Sequence, residues 1–332
     1  MINWHGKKVL VCGGAGFIGS HLSRKLIKEG ADVRIIDDLS SGSQANVSDL
    51  VDSAEFLKYD LRSYVTCQRL FQIKPDVIFQ LAANMGGIGW ITSIGADIMH
   101  DSGLINIQML ELAHKHEIEH YFYSSSACIY PNYLQIFADV KPLAEVDAYP
   151  AEPDQFYGWE KLFTEKLCEA YQLDYGMNIK VARFHNIFGE CFTSFDKDKG
   201  KAPAHMIIKA IKHPEPPFLM WGDGKQTRSF LYIDDCVNGI LKLMNSDFDS
   251  PINIGSDYLV DMNSLAKLAI DFSGKEVDII YDTSKPQGVR GRNADLELVE
   301  KELDWLPEIS LEEGMKKTYE WAVKNYNKLE NI

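Results

Sequence analysis

The stretch Lys8-Val-Leu-Val-Cys-Gly-Gly-Ala-Gly-Phe-Ile-Gly19 joins a short apolar run to a glycine-rich turn. Lys8–Cys12 has the composition of a buried strand, and the residues after Gly19 carry apolar side chains at helical spacing. Glycines at positions 13, 16 and 19 let the backbone approach a pyrophosphate closely, and free amides at a helix N-terminus stabilise the anion. The stretch therefore predicts a strand–turn–helix unit that binds the phosphates of a dinucleotide.

Further strand-like runs follow along the chain, separated by amphipathic stretches. The runs are Asp32–Ile36, Glu55–Tyr59, Asp76–Ala82, His120–Tyr123, Ile179–Phe184 and Pro251–Gly255. The helical patterns are Gly19–Glu29, Ser102–His116, Pro153–Tyr175 and Asp234–Met244. Strands that alternate with helices imply right-handed crossovers, so the sequence predicts an α/β protein with a Rossmann-type, doubly wound parallel sheet.

The alternation breaks after Phe184, where Gly, Pro and Lys become frequent and Phe195–Pro203 has the composition of a loop. We therefore predict a sheet domain of residues 1–185 plus 229–256. The remainder, residues 186–228 plus 257–332, is predicted to form a smaller, mixed α/β, substrate-binding cap domain. It ends in an acidic and basic helix at about Ser310–Lys328.

Composition excludes several classes of protein. The 332 residues carry 48 acidic and 34 basic side chains, a net charge of −14, which argues against nucleic-acid binding. No apolar run approaches the ~20 residues of a membrane helix, and the N-terminus does not resemble a secretory signal, so a cytoplasmic protein is expected. The six cysteines form no Cys-x-x-Cys pair, and His114, His116 and His120 lack a ligand pattern, so no metal site is predicted.

An acidic residue marks the expected ribose site. Asp37 ends the second strand, 18 residues beyond Gly19, where a carboxylate accepts both ribose hydroxyls of NAD and repels the extra phosphate of NADP. Arg34 is the residue that would favour NADP, but strand alternation puts it on the opposite face. Asp60 and Leu61 follow the third strand, where they can reach the adenine.

A second motif predicts acid–base chemistry. Tyr157 and Lys161 are one helical turn apart, and a neighbouring ammonium favours the phenolate form of a tyrosine. Ser126 ends the serine run after the fifth strand, where its hydroxyl can share a proton with the phenol. On an ordinary amphipathic helix this spacing would be solvated surface, but the upstream glycine turn favours a catalytic pair.

These motifs together resemble the extended short-chain dehydrogenase/reductase superfamily, which contains sugar-nucleotide epimerases and dehydratases. The matching segments are Leu81–Ala83, Ser124–Ser126, Tyr157-x-x-x-Lys161 and Arg183–Asn186. The resemblance implies a tyrosine that removes a sugar hydroxyl proton while hydride leaves the carbon. It also implies an NAD site formed by Gly13, Gly16, Phe17, Ile18, Gly19, Asp37, Asp60, Leu61, Leu81, Tyr157 and Lys161.

A closer likeness is to the GDP-mannose 3,5-epimerases of that superfamily. It rests on Met85–Gly89, Ser125–Pro131, Pro150–Pro153, Lys201–Ala204, Met220–Phe230 and Gly288–Asn293. The resemblance implies that Cys128 and Lys201 are the acid–base pair at carbons 5 and 3, once carbon 4 is a ketone. A free thiol has a pKa near 8.5, which cationic neighbours lower; the alternative for Cys128 is a small buried residue at a strand end.

The same resemblance implies the substrate site and the assembly. It assigns contacts with a GDP-sugar to Met85, Gly86, Ser126, Asn186, Lys201, Arg228 and Arg292. Arg228 and Arg292 are candidates for the pyrophosphate, because a planar guanidinium can bind two phosphate oxygens at once. A homodimer through the helices Ser102–His116 and Pro153–Tyr175 is expected from the family.

Several alternatives stay open at this stage. The chain could invert a single centre, act on another GDP-sugar such as a GDP-heptose, or be a 4-epimerase. A 4,6-dehydratase is less favoured, because Cys128 occupies the place of that enzyme's acid. A non-catalytic NAD-sensing regulator is a remote alternative, since both Tyr157 and Lys161 are present.

Overall fold

The computed structural model describes residues 1–86, 88–153, 155–196, 200–285 and 287–329. Gly87 of the Met85–Gly89 motif, residues 197–199 of the predicted loop and the last three residues of the predicted cap domain lie outside these ranges. Within them, no helix is both long and apolar enough to cross a lipid bilayer.

The strands, in chain order, are short and mostly buried. They are β1 (Lys8–Cys12), β2 (Asp32–Asp37), β3 (Glu55–Lys58), β4 (Val77–Gln80), β5 (His120–Ser126), β6 (Ile179–Phe184), β7 (Ile187–Phe188), β8 (Phe218–Trp221), β9 (Thr227–Ser229), β10 (Leu231–Tyr232), β11 (Ile252–Ile254), β12 (Leu259–Asp261), β13 (Ile279–Asp282) and β14 (Gly291–Arg292).

The helices alternate with the strands in the first half of the chain and cluster in the second half. They are α1 (Phe17–Lys28), α2 (Tyr64–Phe71), α3 (Ile88–Ser93), α4 (Gly95–Lys115), α5 (Phe156–Tyr175), α6 (Ala202–Lys212), α7 (Ile233–Met244), α8 (Met262–Ser273), α9 (Glu297–Leu303), α10 (Leu311–Lys324) and α11 (Tyr326–Leu329).

A seven-stranded parallel sheet in the order β11-β6-β5-β4-β1-β2-β3 forms the centre of the molecule. Apolar clusters cover both of its faces, which is why β1 is a continuous apolar run, with Val9, Leu10, Val11 and Cys12 completely buried. The strand order reverses beside β1, and ligands of such sheets bind at the carboxyl ends of the strands flanking that point. The predicted Rossmann-type fold is confirmed.

Smaller sheets accompany the chain segments after β6. They pair β7 with β10, β8 with β13, and β9 with both β12 and β14. Helices α6, α8 and α10 pack on one another beside them. Strand β11, which lies within the predicted sheet-domain segment 229–256, is part of the central sheet. The exact division into two domains stays a prediction.

Two predicted boundaries were wrong. Helix α4 begins at Gly95 rather than Ser102. Its first two turns were not predicted because most of their residues are exposed and only Ile98 among them is fully buried. The predicted loop Phe195–Pro203 ends earlier than expected, because α6 begins at Ala202 with Pro203 in its first turn, where the missing amide costs no hydrogen bond.

Candidate active site

A cavity of about 480 Å³ opens at the carboxyl ends of the central strands. It brings together sixteen of the predicted site residues: Gly13, Gly16, Phe17, Ile18, Gly19, Asp37, Asp60, Leu61, Leu81, Met85, Gly86, Ser126, Tyr157, Lys161, Asn186 and Lys201. Cys128, Arg228 and Arg292 are not part of this lining. Among the described residues, no group of three or more His, Cys, Asp or Glu side chains is arranged to hold a metal ion.

The glycine turn leaves no room for side chains. A Cβ at Gly13 would lie 2.8 Å from the Ala82 amide nitrogen, and one at Gly19 would lie 2.3 Å from the Gly13 carbonyl oxygen. Gly13 also has a φ of 75°, a conformation that suits glycine. The turn is therefore tight enough for α1 to start at the cavity, with its N-terminal amides directed at an anion.

Asp37 closes the turn from the second strand. Its carboxylate is 8% exposed and accepts hydrogen bonds from the amides of Ala15, at 3.0 Å, and Leu39, at 2.9 Å. Burial raises the pKa of Asp37, and these amide hydrogen bonds oppose that change. Arg34 lies outside the cavity lining and pairs with Glu55 at 2.8 Å, so it does not contribute a positive charge to the ribose site.

Asp60 is held in place by Arg62, a cavity residue that the sequence analysis did not identify. The Arg62 guanidinium donates to Asp60 Oδ2 at 2.9 Å and to Asp101 Oδ2 at 2.8 Å. An Asp-x-Arg sequence directly after a strand is the signal that could have revealed this pair. The residues therefore fit NAD, with the glycine turn at the pyrophosphate, Asp37 at the ribose and Asp60-Leu61 at the adenine.

Helix α5 carries the predicted catalytic pair into the cavity. Lys161 donates from Nζ to the Ser124 carbonyl oxygen at 2.9 Å, and the same nitrogen lies 5.6 Å from the centre of the Tyr157 ring. Ser126 Oγ accepts a hydrogen bond from the Cys128 amide at 3.2 Å and shares a hydrogen bond with Tyr157. The end of β5 and the first turns of α5 thus form one hydrogen-bonded unit.

Burial, rather than the neighbouring ammonium, dominates the electrostatics of this pair. Burial raises the pKa of Tyr157, the charges of Cys128 and Glu160 add to that, and the hydrogen bond with Ser126 opposes it. Burial lowers the pKa of Lys161, and Glu160 opposes that change. The attraction between the two groups was predicted from their spacing along the helix. The effect of desolvation on their pKa values was not, because residue spacing does not indicate burial.

Glu160 is a second residue that the sequence analysis missed. It is 1% exposed, and its Oε1 accepts hydrogen bonds from Asn106, at 2.8 Å, and Thr164, at 2.9 Å. Glu160 follows Tyr157 by three residues, so it lies near the same helix face. The sequence signal that could have identified Glu160 is an acidic residue among the three that separate Tyr157 from Lys161.

Cys128 lies beside Tyr157, and it differs from the other cysteines. The remaining five are buried, whereas Cys128 is partly exposed. It packs on a small apolar cluster that contains Tyr157. A Cβ at Gly158 would lie 2.1 Å from the Cys128 carbonyl oxygen, so glycine after the tyrosine is what allows the two segments to approach.

Lys201 reaches the cavity from the other side, at the start of α6. It is the N-cap residue of that helix, and it lines the cavity rather than a solvated loop. Burial lowers the pKa of Lys201, while the charge of Cys128 works in the opposite direction. A lysine with a lowered pKa can serve as a proton acceptor and donor nearer to neutrality.

Asn186 completes the floor of the cavity. It has a φ of 43°, a left-handed conformation that asparagine tolerates better than most residues, and its Nδ2 donates to the Ser229 carbonyl oxygen at 2.9 Å. Met85 and Gly86 line the cavity before α3, where a Cβ at Gly86 would lie 2.9 Å from Trp90. Their predicted contacts with substrate stay predictions.

The two arginines predicted to bind the pyrophosphate lie beyond the lining. Arg228 donates to the carbonyl oxygens of Thr227 and Val289, both at 2.7 Å. Arg292 is 6% exposed and donates to Cys128 Sγ at 3.3 Å and to Gln135 Oε1 at 2.5 Å. The binding of phosphates by Arg228 and Arg292 stays a prediction.

Comparisons with known proteins agree with this geometry. Residues 9–255 match the model of the NAD dependent epimerase/dehydratase family. GDP-mannose 3,5-epimerase of Arabidopsis thaliana is 42% identical over 321 residues, which cover 97% of this chain and 83% of that protein. UDP-glucose 4-epimerase of Thermotoga maritima, solved with UDP-glucose, has a TM-score of 0.85 at 28% identity and covers 96% of this chain and 99% of that one.

An epimerase of Methanothermobacter thermautotrophicus has a TM-score of 0.88 at 26% identity, covering 99% of this chain and 95% of that structure. The family match spans the glycine turn, Asp37, Tyr157 and Lys161, which are the residues from which NAD was predicted. The chain belongs to the NAD-dependent epimerase/dehydratase family.

Proposed function

We propose that the chain is a GDP-mannose 3,5-epimerase. The observation that carries the proposal is the placement of two acid–base groups around Tyr157: Cys128 packs on the apolar cluster that contains Tyr157, and Lys201 lines the same cavity as that tyrosine. The 42% identity to GDP-mannose 3,5-epimerase over 97% of the chain supports the same substrate and reaction.

The reaction begins at carbon 4 of the mannose ring. NAD held by the glycine turn, Asp37 and Asp60 would supply a reversible hydride acceptor for that carbon, so the overall reaction would consume no oxidant. Tyr157 Oη takes the hydroxyl proton, with Ser126 in hydrogen-bond contact to share it. Lys161 stabilises negative charge on the phenol. Its ammonium is held in place by the hydrogen bond from Nζ to the Ser124 carbonyl oxygen, at 2.9 Å.

The resulting ketone makes the hydrogens at carbons 3 and 5 acidic, because the carbanion formed on their removal is an enolate. Inversion at each centre requires one group to remove a proton from one face and a second group to return a proton to the other. Cys128 Sγ and Lys201 Nζ are the two groups that we propose for this exchange. Positioned acid–base groups of this kind contribute roughly 10²–10⁴-fold to the rate.

The test is turnover of GDP-mannose by the purified protein in deuterium oxide, followed by analysis of the sugar products. Double epimerisation incorporates deuterium from the solvent at carbons 3 and 5. Label at one carbon alone would indicate a single-centre epimerase, and unlabelled GDP-talose would indicate a 4-epimerase. Loss of water from the sugar would indicate a 4,6-dehydratase. Each of the last three results contradicts the proposal.

The matched variant is Cys128→Ala, which removes the thiol and keeps the small side chain. We expect it to lose deuterium incorporation by 10²-fold or more, while it still binds NAD. Label exchange as fast as in the parent would exclude Cys128 from proton transfer. Turnover of other GDP-sugars, a GDP-heptose included, measured beside GDP-mannose, tests the substrate itself.

We further propose that the protein works as a homodimer. Large apolar side chains are exposed on two neighbouring helices: Met99 and Ile107 on α4, and Phe156, Trp159 and Phe163 on α5. Apolar surface of this kind on two packed helices is typical of a subunit interface. Sedimentation as a species of twice the chain mass is expected, and a monomer at micromolar concentration would contradict it.

We also propose a cytoplasmic location, as the sequence predicted. All six cysteines are free thiols, which suits a reducing compartment. Fractionation of cells that express the protein, with detection by antibody, tests this location.

A further inference from the structure

We propose that Arg292 acts on the Cys128 thiol as the cation that stabilises its thiolate, and that Gln135 is the positioning residue that holds Arg292 there. The catalytic meaning of this contact rests on the proposed function, in which Cys128 transfers protons to and from the sugar. The contact itself can be tested without any sugar.

The first observation is the contact of the guanidinium with the sulfur. Arg292 Nη1 lies 3.3 Å from Cys128 Sγ, within the range of a hydrogen bond to sulfur. The arginine is 6% exposed, so solvent screens its charge little at this point. A permanent positive charge at that distance favours the ionised sulfur over the neutral thiol.

The second observation is the residue behind the guanidinium. Gln135 is completely buried, and its Oε1 accepts from Arg292 Nε at 2.5 Å. Its Nε2 donates to the carbonyl oxygens of Tyr130, at 3.0 Å, and Pro131, at 3.1 Å. The Gln135 amide is therefore fixed at both ends, and it presents a single acceptor to the arginine.

The backbone reinforces the same junction. The Arg290 amide donates to the Gln135 carbonyl oxygen at 2.9 Å, and the Leu143 amide donates to the Asn293 carbonyl oxygen at 3.0 Å. A Cβ at Gly291 would lie 2.3 Å from the Phe137 carbonyl oxygen, so glycine is what allows β14 to approach this closely. Strand β14 is thus held against the segment that follows Cys128, with Arg292 directed at the sulfur.

Arginine is the residue that fits this role. Its planar fork contacts Gln135 through Nε and the sulfur through Nη1, an arrangement that a lysine with one nitrogen cannot reproduce. Cys128 is also one of the charged or titratable neighbours of Tyr157, Lys161 and Lys201. Tyr157 and Lys201 exchange protons in the proposed reaction, whereas Arg292 keeps its charge throughout.

In the proposed exchange, the thiolate takes a proton from a ring carbon, and the electron pair of the broken C–H bond moves into the enolate. The neutral thiol can then return a proton to a ring carbon. Arg292 stabilises the ionised form of the sulfur at both ends of this exchange. Without it, no guanidinium would face the sulfur, and we expect proton removal from carbon to be slower.

The test measures the rate at which iodoacetamide alkylates Cys128 in the holoenzyme at pH 7, read from the mass of the Cys128 peptide. The thiolate displaces iodide and forms a carbon–sulfur bond, so the rate rises with the ionised fraction, less than in proportion because a thiolate of lower pKa is a weaker nucleophile. The other five cysteines are buried, which makes the reaction selective. We expect about tenfold slower alkylation in Arg292→Met and in Gln135→Leu, and a smaller loss in Arg292→Lys.

Two features separate a lost charge from a disturbed structure. A loosened loop would expose the sulfur and speed the alkylation, which is the opposite of the expected change. In strong alkali every variant is ionised, so the difference from the parent should vanish there. If Gln135→Leu fails to fold by circular dichroism, the two Arg292 variants still test the contact.

Gln172→Leu is the matched control, because Gln172 Nε2 also donates to two carbonyl oxygens, those of Ile179 and Asp249, and its contacts lie away from the cavity. It should alkylate at the parental rate. In the double variant Gln135→Leu/Arg292→Met, the rate should equal that of Arg292→Met alone, because Gln135 acts through Arg292. Additive effects, or parental rates in both single variants, would overturn the proposal.

The same variants link the contact to catalysis if GDP-mannose proves to be a substrate. Gln135→Leu should lower kcat for deuterium incorporation by a larger factor than it raises KM, because Gln135 acts only through Arg292, for which both the sulfur contact and substrate binding are proposed. If GDP-mannose is not turned over, the alkylation rates still decide whether Arg292 ionises the thiol, so the two failures are distinguishable.

Discussion

The two ends of the cavity are built in different ways. At the cofactor end, formed by Gly13–Gly19, Asp37 and Asp60, the contacts are local: the Ala15 amide and the Asp37 carboxylate that it meets are 22 residues apart. At the substrate end, Lys201 lines the cavity, Cys128 packs on the lining residue Tyr157, and the contact between Cys128 and Arg292 spans 164 residues. The cofactor end thus depends on successive strand ends, and the substrate end depends on how distant segments pack.

This difference explains where the fold is tolerant and where it is not. The cofactor end uses backbone amides and glycines, so its ability to bind phosphates depends on the conformation of the main chain. The substrate end uses side chains that are delivered from β5, α6 and β14. Changing the reaction while keeping NAD therefore requires changes only at the substrate end.

The largest expected effect is at Tyr157, where the two ends meet. Tyr157→Phe removes the hydroxyl that takes the sugar proton, so kcat should fall by roughly 10²–10⁴-fold. The Kd for NAD, measured by fluorescence quenching, should change far less. Tyr171→Phe, on the same helix and outside the cavity lining, is the control and should be fully active. If kcat of Tyr157→Phe stays within tenfold of the parental value, Tyr157 does not remove the hydroxyl proton.

An intermediate effect is expected when the cofactor end alone is disturbed. Gly19→Ala adds a Cβ 2.3 Å from the Gly13 carbonyl oxygen, and neither backbone atom can yield easily. The Kd for NAD should rise by about tenfold or more and the melting temperature should fall. In Gly103→Ala, nothing lies within 4 Å of the new Cβ, and the helix should gain up to ~1 kcal/mol. Equal NAD affinity in both variants would contradict the tight turn.

The smallest effect is expected at the substrate end, in the stability of Lys201→Met. Burial lowers the pKa of Lys201 below its usual 10.5, so the folded state binds this proton more weakly than the unfolded state does. The cost of the buried charge is full below the folded pKa and is relieved as the pH rises towards 10.5.

Lys201→Met should therefore raise the free energy of unfolding at pH 7, and this gain should shrink towards pH 10.5. Thermal melts of both proteins across that range measure the change. The variant should also lose inversion at both carbons, because the proposed exchange needs Cys128 and Lys201 at each centre. A melting temperature at pH 7 below that of the parent would indicate that the lysine stabilises the fold.

Much of the fold was predictable because its signals are local. The strands from β1 to β6 were found within a few residues, since each is a compact apolar run that parallel sheets bury on both faces. Helix α4 was predicted too short because its first turns bury little apolar surface, and α6 was partly taken for a loop because Pro203 suggests an irregular segment. In both places tertiary contacts extend a helix beyond its apolar pattern.

The candidate site divides in the same way. The NAD residues and the pair Tyr157 and Lys161 follow from glycine spacing and from one helical turn. Three features did not follow from the sequence. They are the burial of Glu160, the large effect of desolvation on the pKa of Tyr157, and the contact of Arg292 with Cys128. Each depends on which distant groups exclude water from a position, and linear spacing does not encode that.

By itself, the sequence determined a strand–turn–helix unit for a dinucleotide, a tyrosine and a lysine on one helix face, and a parallel sheet to carry them. Only the tertiary structure decided that Cys128 lies beside Tyr157 and accepts a hydrogen bond from Arg292. The physical reason is range: hydrogen bonding within a turn or a helix is fixed by neighbours along the chain, whereas desolvation and charge pairing are fixed by neighbours in space.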